Sequence, residues 1–151
     1  QGIPRGPFML RGTRLDQFTF FASIHKEHKM AKIRQILTSF NDLRFILIGD
    51  SGQKDAEIYG QVVREFPDRI LAVYIRDVSN EERDEAVRSI AGTVHQSGVE
   101  MLLVQDTAEA ARHAEARGFI APEKVPEVEA EKARDEQAPA DISQMLATKS
   151  A

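Results

Sequence analysis

Three short apolar segments alternate with longer amphipathic stretches along the middle of the chain. The apolar segments occupy residues 45–48, 70–75 and 101–104, and each is too short for a buried helix, as is typical of strands buried on both faces. The stretches between them leave room for the helical crossovers that parallel strands require. The pattern therefore predicts an α/β protein, with a parallel sheet flanked by helices in a three-layer, Rossmann-like arrangement.

The amphipathic stretches predict four helices, and the residues at their starts support two of them. Ser79 with Glu82, and Asp106 with Glu109, have the spacing of a capping box ahead of the third and fourth helices. A further short strand is predicted at residues 8–10. The predicted helices span residues 28–40, 53–65, 81–96 and 108–117.

The character of the chain changes after residue 120. Residues 121–151 contain three prolines and no aromatic residue, so they offer too little apolar surface to offset the entropy lost on ordering. We therefore expect a folded domain over residues 1–120 and an acidic, proline-containing, disordered tail over 121–151. The tail is expected to hold at most a short helix, at residues 142–146.

Composition narrows the possible functions. The 151 residues include no cysteine, which excludes disulfides, cysteine zinc sites and cysteine nucleophiles. The formal net charge of −4 gives no general attraction for nucleic acid or for an anionic membrane. No apolar run approaches the roughly 20 residues that span a bilayer, so no transmembrane segment is predicted and a cytoplasmic location is expected.

The most informative segment follows the first predicted strand, at the sheet edge where ligands bind in open parallel sheets. Asp50 ends the strand, Ser51 and Gly52 follow it, and Asp55 enters the next helix. Such a pair of acids suits Mg²⁺, which takes one or two protein carboxylates and keeps water and phosphate as its other ligands. Asp50 and Asp55 are thus the candidate metal ligands, and Ser51 and Gly52 are the candidate cofactor-binding residues. The alternative is that Asp50 caps the helix and Asp55 complements its dipole.

A lysine on the preceding predicted helix is a candidate catalytic residue. Lys29 falls near the centre of that helix's apolar stripe, where an ammonium group needs an anionic partner. Because a crossover helix runs antiparallel to the strands, its first turn lies at the same sheet edge as Asp50. Lys29 is therefore expected to reach toward Asp50 and a bound phosphate. The alternative is that its stem lies on the core while the ammonium group points into water.

Aromatic residues cluster on the connection that leads to the same edge. Phe18, Phe20 and Phe21 stand within four positions. Core packing is one interpretation of this cluster. The other is a hydrophobic lip that grips an apolar substrate tail.

These residues resemble a known family. The segments 44–55 and 72–77, with the run GDSGQKD at 49–55, are similar to the catalytic domain of the actin-patch-protein type of phosphatidate phosphatases. That family belongs to the haloacid-dehalogenase-like (HAD-like) superfamily, and the resemblance extends over residues 4–120. It implies a HAD-like fold in which Asp50 and Asp55 hold Mg²⁺ and Lys29 steadies the nucleophile and the phosphoryl group.

The resemblance also implies a reaction. The family transfers a phosphoryl group to an aspartate and then hydrolyses the aspartyl phosphate, and its lipid-active members release diacylglycerol and inorganic phosphate. The family's nucleophile comes from an Asp-x-Asp-x-Thr or Asp-x-Asp-x-Val strand, whereas no Asp-x-Asp occurs in the 151 residues. We therefore expect the nucleophile strand upstream of Gln1, a fold that is incomplete at its N-terminus, and no turnover by this chain alone.

Three functions stay open at this point. The first is part of a Mg²⁺-dependent phosphatase that acts on phosphatidate at a membrane surface, with peripheral contact to the membrane. The second is a phosphatase for small soluble phosphomonoesters. The third is a non-catalytic α/β binding module in which Asp50 and Asp55 only stabilise a helix. None of the three calls for a nucleic-acid partner.

Overall fold

The computed structural model of the chain describes residues 20–137. No helix in this range is long and apolar enough to cross a membrane. The strand predicted at residues 8–10 and the helix predicted at 142–146 lie outside the described residues. In chain order the elements are α1 (Phe20–Ser39), β1 (Phe45–Asp50), α2 (Asp55–Glu65), a 3₁₀ turn (Pro67–Arg69), β2 (Ile70–Arg76), α3 (Glu81–His95), β3 (Glu100–Val104), α4 (Thr107–Ala116) and α5 (Lys124–Gln137).

The three strands form one parallel sheet in the order β1-β2-β3. Ile48 of β1 pairs with Tyr74 of β2, and Tyr74 pairs with Leu102 of β3. Because β2 is central, both of its faces are covered, and its apolar run is buried over nearly its whole length. The predicted α/β class, with a parallel sheet flanked by helices, is confirmed.

Helices α1, α2 and α3 cover one face of the sheet. Successive side chains of a strand point to opposite faces, and Val73 and Ile75 of β2 point to this one. They pack in one cluster with Val62 of α2 and Val87 of α3, and all four side chains are fully buried. Leu37 of α1 is also buried in it. This cluster is the main core, and it fixes the helices that surround the carboxyl end of β1.

The opposite face of the sheet packs against α4. Tyr74 lies here, buried against Ala114, and its hydroxyl forms a 2.8 Å hydrogen bond with His113 Nδ1 of α4. Burial raises the pKa of the Tyr74 hydroxyl, which keeps it neutral and able to share that hydrogen bond. At the β1 side of this face Ile48 is 66% exposed, so the second layer is thinner beside β1 than beside β2.

Helix α5 lies where the sequence predicts a disordered tail. Lys132 donates to Asp106 Oδ2 at 2.7 Å and Arg112 donates to Glu129 at 2.8 Å, which ties α5 to α4 and to the end of β3. The Lys132 ammonium and a backbone N–H hold the pKa of Asp106 at about 2. Apolar content alone understates order here, because charged side chains link α5 to α4.

The helix boundaries differ from the predicted ones where the local signals were ambiguous. Helix α1 begins at Phe20 rather than at residue 28, since neither glycine nor proline interrupts the stretch. Asp106 caps α4 as predicted, accepting from the Glu109 backbone N–H. For α3, however, the cap is Asn80 rather than Ser79, and its side chain accepts from Arg83 N. Both asparagine and serine are favoured caps, so the sequence did not distinguish them.

Arg69 ties the end of α1 to the start of β2. Its guanidinium donates to three backbone carbonyls, those of Leu37, Phe40 and Leu43, at 2.5–3.2 Å. The last carbonyls of a helix have no partner within the helix. Arg69 therefore supplies these acceptors with a cation at the helix C-terminus, where a positive charge is also favoured.

We expect Arg69→Met to lower the free energy of unfolding by about 2 kcal/mol, since hydrogen bonds from a charged donor contribute more than neutral ones. Urea unfolding followed by circular dichroism measures the change. Arg34→Met is the matched control, because Arg34 also makes two hydrogen bonds, but to the exposed carboxylate of Glu65. That variant is expected to lose less stability than Arg69→Met, because exposed ion pairs contribute little. Equal losses in the two variants would contradict the role assigned to Arg69.

Candidate metal and phosphate site

The candidate site lies at the carboxyl end of β1. Residues 51–54 form the turn between β1 and α2. Ser51 N donates to Arg76 O at 2.9 Å, which continues the pairing of β1 with β2 by one residue. The turn therefore starts from a fixed point at the sheet edge, as ligand sites of open parallel sheets do.

Asp55 is the buried centre of this site. It opens α2 and is 4% exposed. Its Oδ1 accepts a hydrogen bond from Lys29 Nζ of α1 at 2.5 Å, and its Oδ2 accepts from the backbone N–H of Asp50 at 3.3 Å. One carboxylate thus joins α1, α2 and the last residue of β1.

Lys29 lies at the sheet edge where the sequence places it, and its hydrogen bond goes to Asp55. Burial is the largest single effect and disfavours the ammonium charge, but the hydrogen bond to Asp55 and the interactions with Tyr59 together raise the pKa of Lys29. The side chain keeps 38% of its surface exposed. Lys29 is therefore a charged donor that faces both Asp55 and the solvent side of the site.

The Tyr59 ring packs against the Lys29 ammonium group. The Lys29 Nζ lies 5.1 Å from the centroid of the Tyr59 ring, a cation–π distance. The Tyr59 hydroxyl donates to the Ile48 carbonyl at 2.8 Å. Burial first, and the negative charge of Asp55 second, raise the pKa of Tyr59, so the hydroxyl stays a donor. Tyr59 thereby fixes the lysine and the end of β1 together.

Gly49 leaves the space that Asp55 occupies. A Cβ atom at Gly49 would lie 2.6 Å from Asp55 Cβ and 2.8 Å from Asp55 Cγ, and closer still to the Asp55 Oδ2 atom. These contacts are too short for any side chain to persist. The glycine is required because the carboxylate approaches the strand backbone closely enough to accept the Asp50 N–H.

Asp50 presents the more open carboxylate of the two. The Gln53 side-chain amide approaches its Oδ2 at 3.4 Å. A Cβ at Gly52 would stand 3.3 Å from Asp50 Oδ1 and 3.3 Å from Val78, so the glycine keeps the approach to this oxygen clear. Asp50 therefore retains free acceptor positions toward the sheet edge.

Ser51 is buried, and its hydroxyl bonds to other parts of the protein. Its side chain is 1% exposed, and its Oγ accepts from Val78 N at 2.9 Å. The hydroxyls of Ser51 and Ser79 share a 2.6 Å hydrogen bond. The Ser51 hydroxyl thus joins the turn after β1 to the connection between β2 and α3.

Arg83 and Glu57 complete the turn, and the sequence analysis missed both. Arg83, in the first turn of α3, donates to the carbonyls of Ser51 and Gln53 at 2.8 and 2.7 Å and to both oxygens of Glu57. Burial is the largest single effect and disfavours the Glu57 charge, but the hydrogen bond and charge of Arg83, with a backbone hydrogen bond and Lys54, together lower the pKa of Glu57. Arg83 stands among the acids Glu81, Glu82 and Asp84, a pattern typical of a solvated helix start, so no local signal pointed to it.

The donors present suit Mg²⁺ better than zinc or other tightly caged ions. Among the described residues no group of three or more His, Cys, Asp or Glu side chains could hold a metal. Asp50 offers a hard oxygen ligand beside an open approach, and the buried Asp55, whose two oxygens already accept hydrogen bonds, lies next to it. Mg²⁺ is held by one or two carboxylates and takes water and phosphate oxygens as its other ligands. Asp50 and Asp55 therefore fit Mg²⁺ where other groups supply the remaining ligands.

Comparison with known proteins identifies the family to which the chain belongs. The family described as phosphatidate phosphatase APP1, catalytic domain, matches residues 1–77. The match contains Lys29, the whole GDSGQKD run and Tyr59. The chain therefore belongs to the phosphatidate phosphatase APP1 catalytic-domain family, and the resemblance seen in the sequence is confirmed.

Two curated proteins illustrate the relationship. Phosphatidate phosphatase APP1 of Saccharomyces cerevisiae is 38% identical over 82 residues, which is 54% of this chain. An uncharacterized protein of Schizosaccharomyces pombe is 38% identical over 53 residues, or 35% of the chain. The chain spans 14% and 9% of the lengths of these relatives. No solved structure matches the chain significantly.

We expect Gly49→Ala to lower the free energy of unfolding by about 1–3 kcal/mol, because the added methyl must displace the Asp55 carboxylate or the strand. Gly92→Ala is the matched control. Nothing lies within 4 Å of a Cβ at Gly92, on α3, so alanine should stabilise that helix by about 1 kcal/mol. Urea unfolding measures both variants. A Gly49→Ala protein as stable as the wild type would show that Asp55 does not occupy this space.

Proposed function

We propose that this chain supplies the magnesium- and lysine-bearing part of a phosphatidate phosphatase site. The observation that carries the proposal is the 2.5 Å contact of Lys29 with Asp55, whose other oxygen accepts from the backbone of Asp50. This arrangement places a cation and an open carboxylate at one sheet edge, inside the stretch that matches the family. A phosphate ester and Mg²⁺ are the ligands that such an edge suits.

In this proposal Lys29 acts on the phosphoryl group. Its ammonium is held by Asp55 and Tyr59 and is partly exposed, so it can approach phosphoryl oxygens without a large rearrangement. A fixed positive charge stabilises the negative charge that develops on those oxygens during transfer. Mg²⁺, when bound at Asp50 and Asp55, would act as a Lewis acid on the same oxygens. Ser51 and Gly52 would shape the metal side of the turn rather than donate to phosphate.

The nucleophile in this proposal is an aspartate from a strand outside the 151 residues. The reaction is an in-line transfer of the phosphoryl group to that aspartate, followed by hydrolysis of the aspartyl phosphate. Since no Asp-x-Asp occurs in the chain, the chain by itself should bind ligands without turning them over. The parent protein would form the complete HAD-like site.

Phosphatidate is the substrate we favour, because the family's description names it and an S. cerevisiae relative carries the same name. The products would be diacylglycerol and inorganic phosphate, and the protein would meet its substrate at a membrane surface from the cytoplasmic side. The side chains of the Phe18 to Phe21 cluster lie outside the described part of the chain, so the hydrophobic lip stays a prediction.

We expect millimolar Mg²⁺ to shift the backbone amide resonances of residues 49–55 in NMR spectra of the chain. Asp50→Asn should abolish these shifts, because it removes the more open carboxylate ligand. Asp77→Asn is the control. Asp77 also follows a strand, but its carboxylate accepts from Gln105 and Ser79. Unchanged resonances in the wild type at saturating metal would contradict the magnesium proposal and favour a non-catalytic binding module.

In the parent protein we expect Lys29→Met to lower kcat for phosphatidate by about 10²–10³, the loss typical of removing one donor to transition-state charge. Phosphate release from phosphatidate in mixed micelles measures it, with Arg34→Met as the control variant. Assays with a soluble phosphomonoester in parallel distinguish the substrate classes. A higher kcat/KM for the soluble ester would favour a phosphatase of small phosphate esters. Turnover by the 151-residue chain alone would contradict the proposal that the nucleophile lies outside it.

A further inference from the structure

The turn between the two candidate metal ligands, residues 51–54, has few bonds of its own. Gly52, Gln53 and Lys54 are exposed. Only the start of the turn is held by the sheet and the core, through Ser51 N to Arg76 O and through the buried Ser51 hydroxyl. A glycine-containing turn of this kind is free to take several conformations. Because Gly52 lies beside Asp50 Oδ1, the conformation of the turn decides how open the approach to Asp50 is.

We propose that Arg83 is a positioning residue for the metal site: its guanidinium holds the backbone of residues 51–53 in the conformation that leaves the Asp50 carboxylate open. The inference rests on the proposed function. It also goes beyond the family match, which ends at residue 77 and does not include Arg83.

The geometry of Arg83 supports this role. Its Nε donates to Ser51 O at 2.8 Å and its Nη2 to Gln53 O at 2.7 Å, so one rigid plane binds carbonyls on both sides of Gly52. Its Nη1 and Nη2 each lie 2.7 Å from an oxygen of Glu57. The side chain is 19% exposed, so water competes weakly for these donors. A planar guanidinium suits this set of acceptors, whereas a lysine ammonium could satisfy only part of it.

A plain brace between α2 and α3 is the competing explanation for the Arg83–Glu57 pair. The chain contains a comparable brace, Arg34 with Glu65, which links α1 to α2 through two hydrogen bonds. Arg34 makes no hydrogen bond to the 51–53 backbone among the described contacts. The two arginines therefore differ in their hydrogen bonds to the 51–53 backbone, and Arg34 is a matched control.

The test uses the 151-residue chain and compares Arg83→Gln, Arg83→Lys and Arg34→Gln with the wild type. Mg²⁺ affinity is measured by NMR titration of amides 49–55, stability by thermal unfolding, and turn mobility by hydrogen exchange of amides 52–54 without metal. We expect Arg83→Gln to raise the Kd for Mg²⁺ roughly tenfold, as is typical when a residue that orients a metal ligand is lost. Arg83→Lys should fall between Arg83→Gln and the wild type. Arg34→Gln should leave the Kd and the exchange unchanged.

Each outcome decides the role of Arg83. A lower Tm with unchanged Kd and unchanged exchange in Arg83→Gln would show a brace only and overturn the proposal. If Arg83→Gln does not fold, Arg83→Lys provides the same comparison. If the wild type binds no Mg²⁺, the magnesium part of the proposed function fails. The exchange rates then still test Arg83, because faster exchange at Gly52 and Gln53 in Arg83→Gln alone would support it and equal rates would not.

Discussion

The ion pair between Lys29 and Asp55 is the interaction on which the rest of the candidate site depends. An isolated carboxylate as buried as that of Asp55 would be costly to keep charged. The Lys29 ammonium and the Asp50 backbone N–H compensate this cost on its two oxygens. Because these partners belong to α1 and to the end of β1, the charge can stay buried only while α1, α2 and β1 keep their relative positions.

This constraint explains why neighbouring residues are small or aromatic. Gly49 has no side chain because the Asp55 carboxylate takes its place beside the strand. Tyr59 lies one turn further along α2, where its ring faces Lys29 and its hydroxyl reaches the Ile48 carbonyl. Gly49 and Tyr59 therefore shape the same carboxyl end of β1 in opposite ways. Gly49 leaves space for the Asp55 carboxylate, and Tyr59 fills the space beside Lys29.

Much of this arrangement could be predicted from the sequence, because it follows from periodicity and chain direction. Strand-length apolar runs indicated a parallel sheet, and the direction of a crossover helix placed Lys29 at the edge that holds Asp50. Periodicity and chain direction do not predict which charged groups pair over long sequence distances. Arg83 and Glu57 are separated by 26 residues, and each resembles an ordinary surface residue of its own helix. Helix α5 escaped prediction for the same reason, since its attachment to α4 is made by charges with distant partners.

The first turn of α2 is where the two halves of the site meet. Asp55 and Glu57 are two residues apart, which on a helix turns their side chains about 200° from each other. Asp55 accordingly faces Lys29 on α1, while Glu57 faces Arg83 on α3. The first turn of α2 is therefore fixed from both sides by oppositely charged partners, and Arg83 also holds the turn beside Asp50. An added cation at Asp50 would enter a site whose nearest carboxylates already have cationic partners, so its binding depends mainly on Asp50, the carboxylate that keeps free acceptor positions.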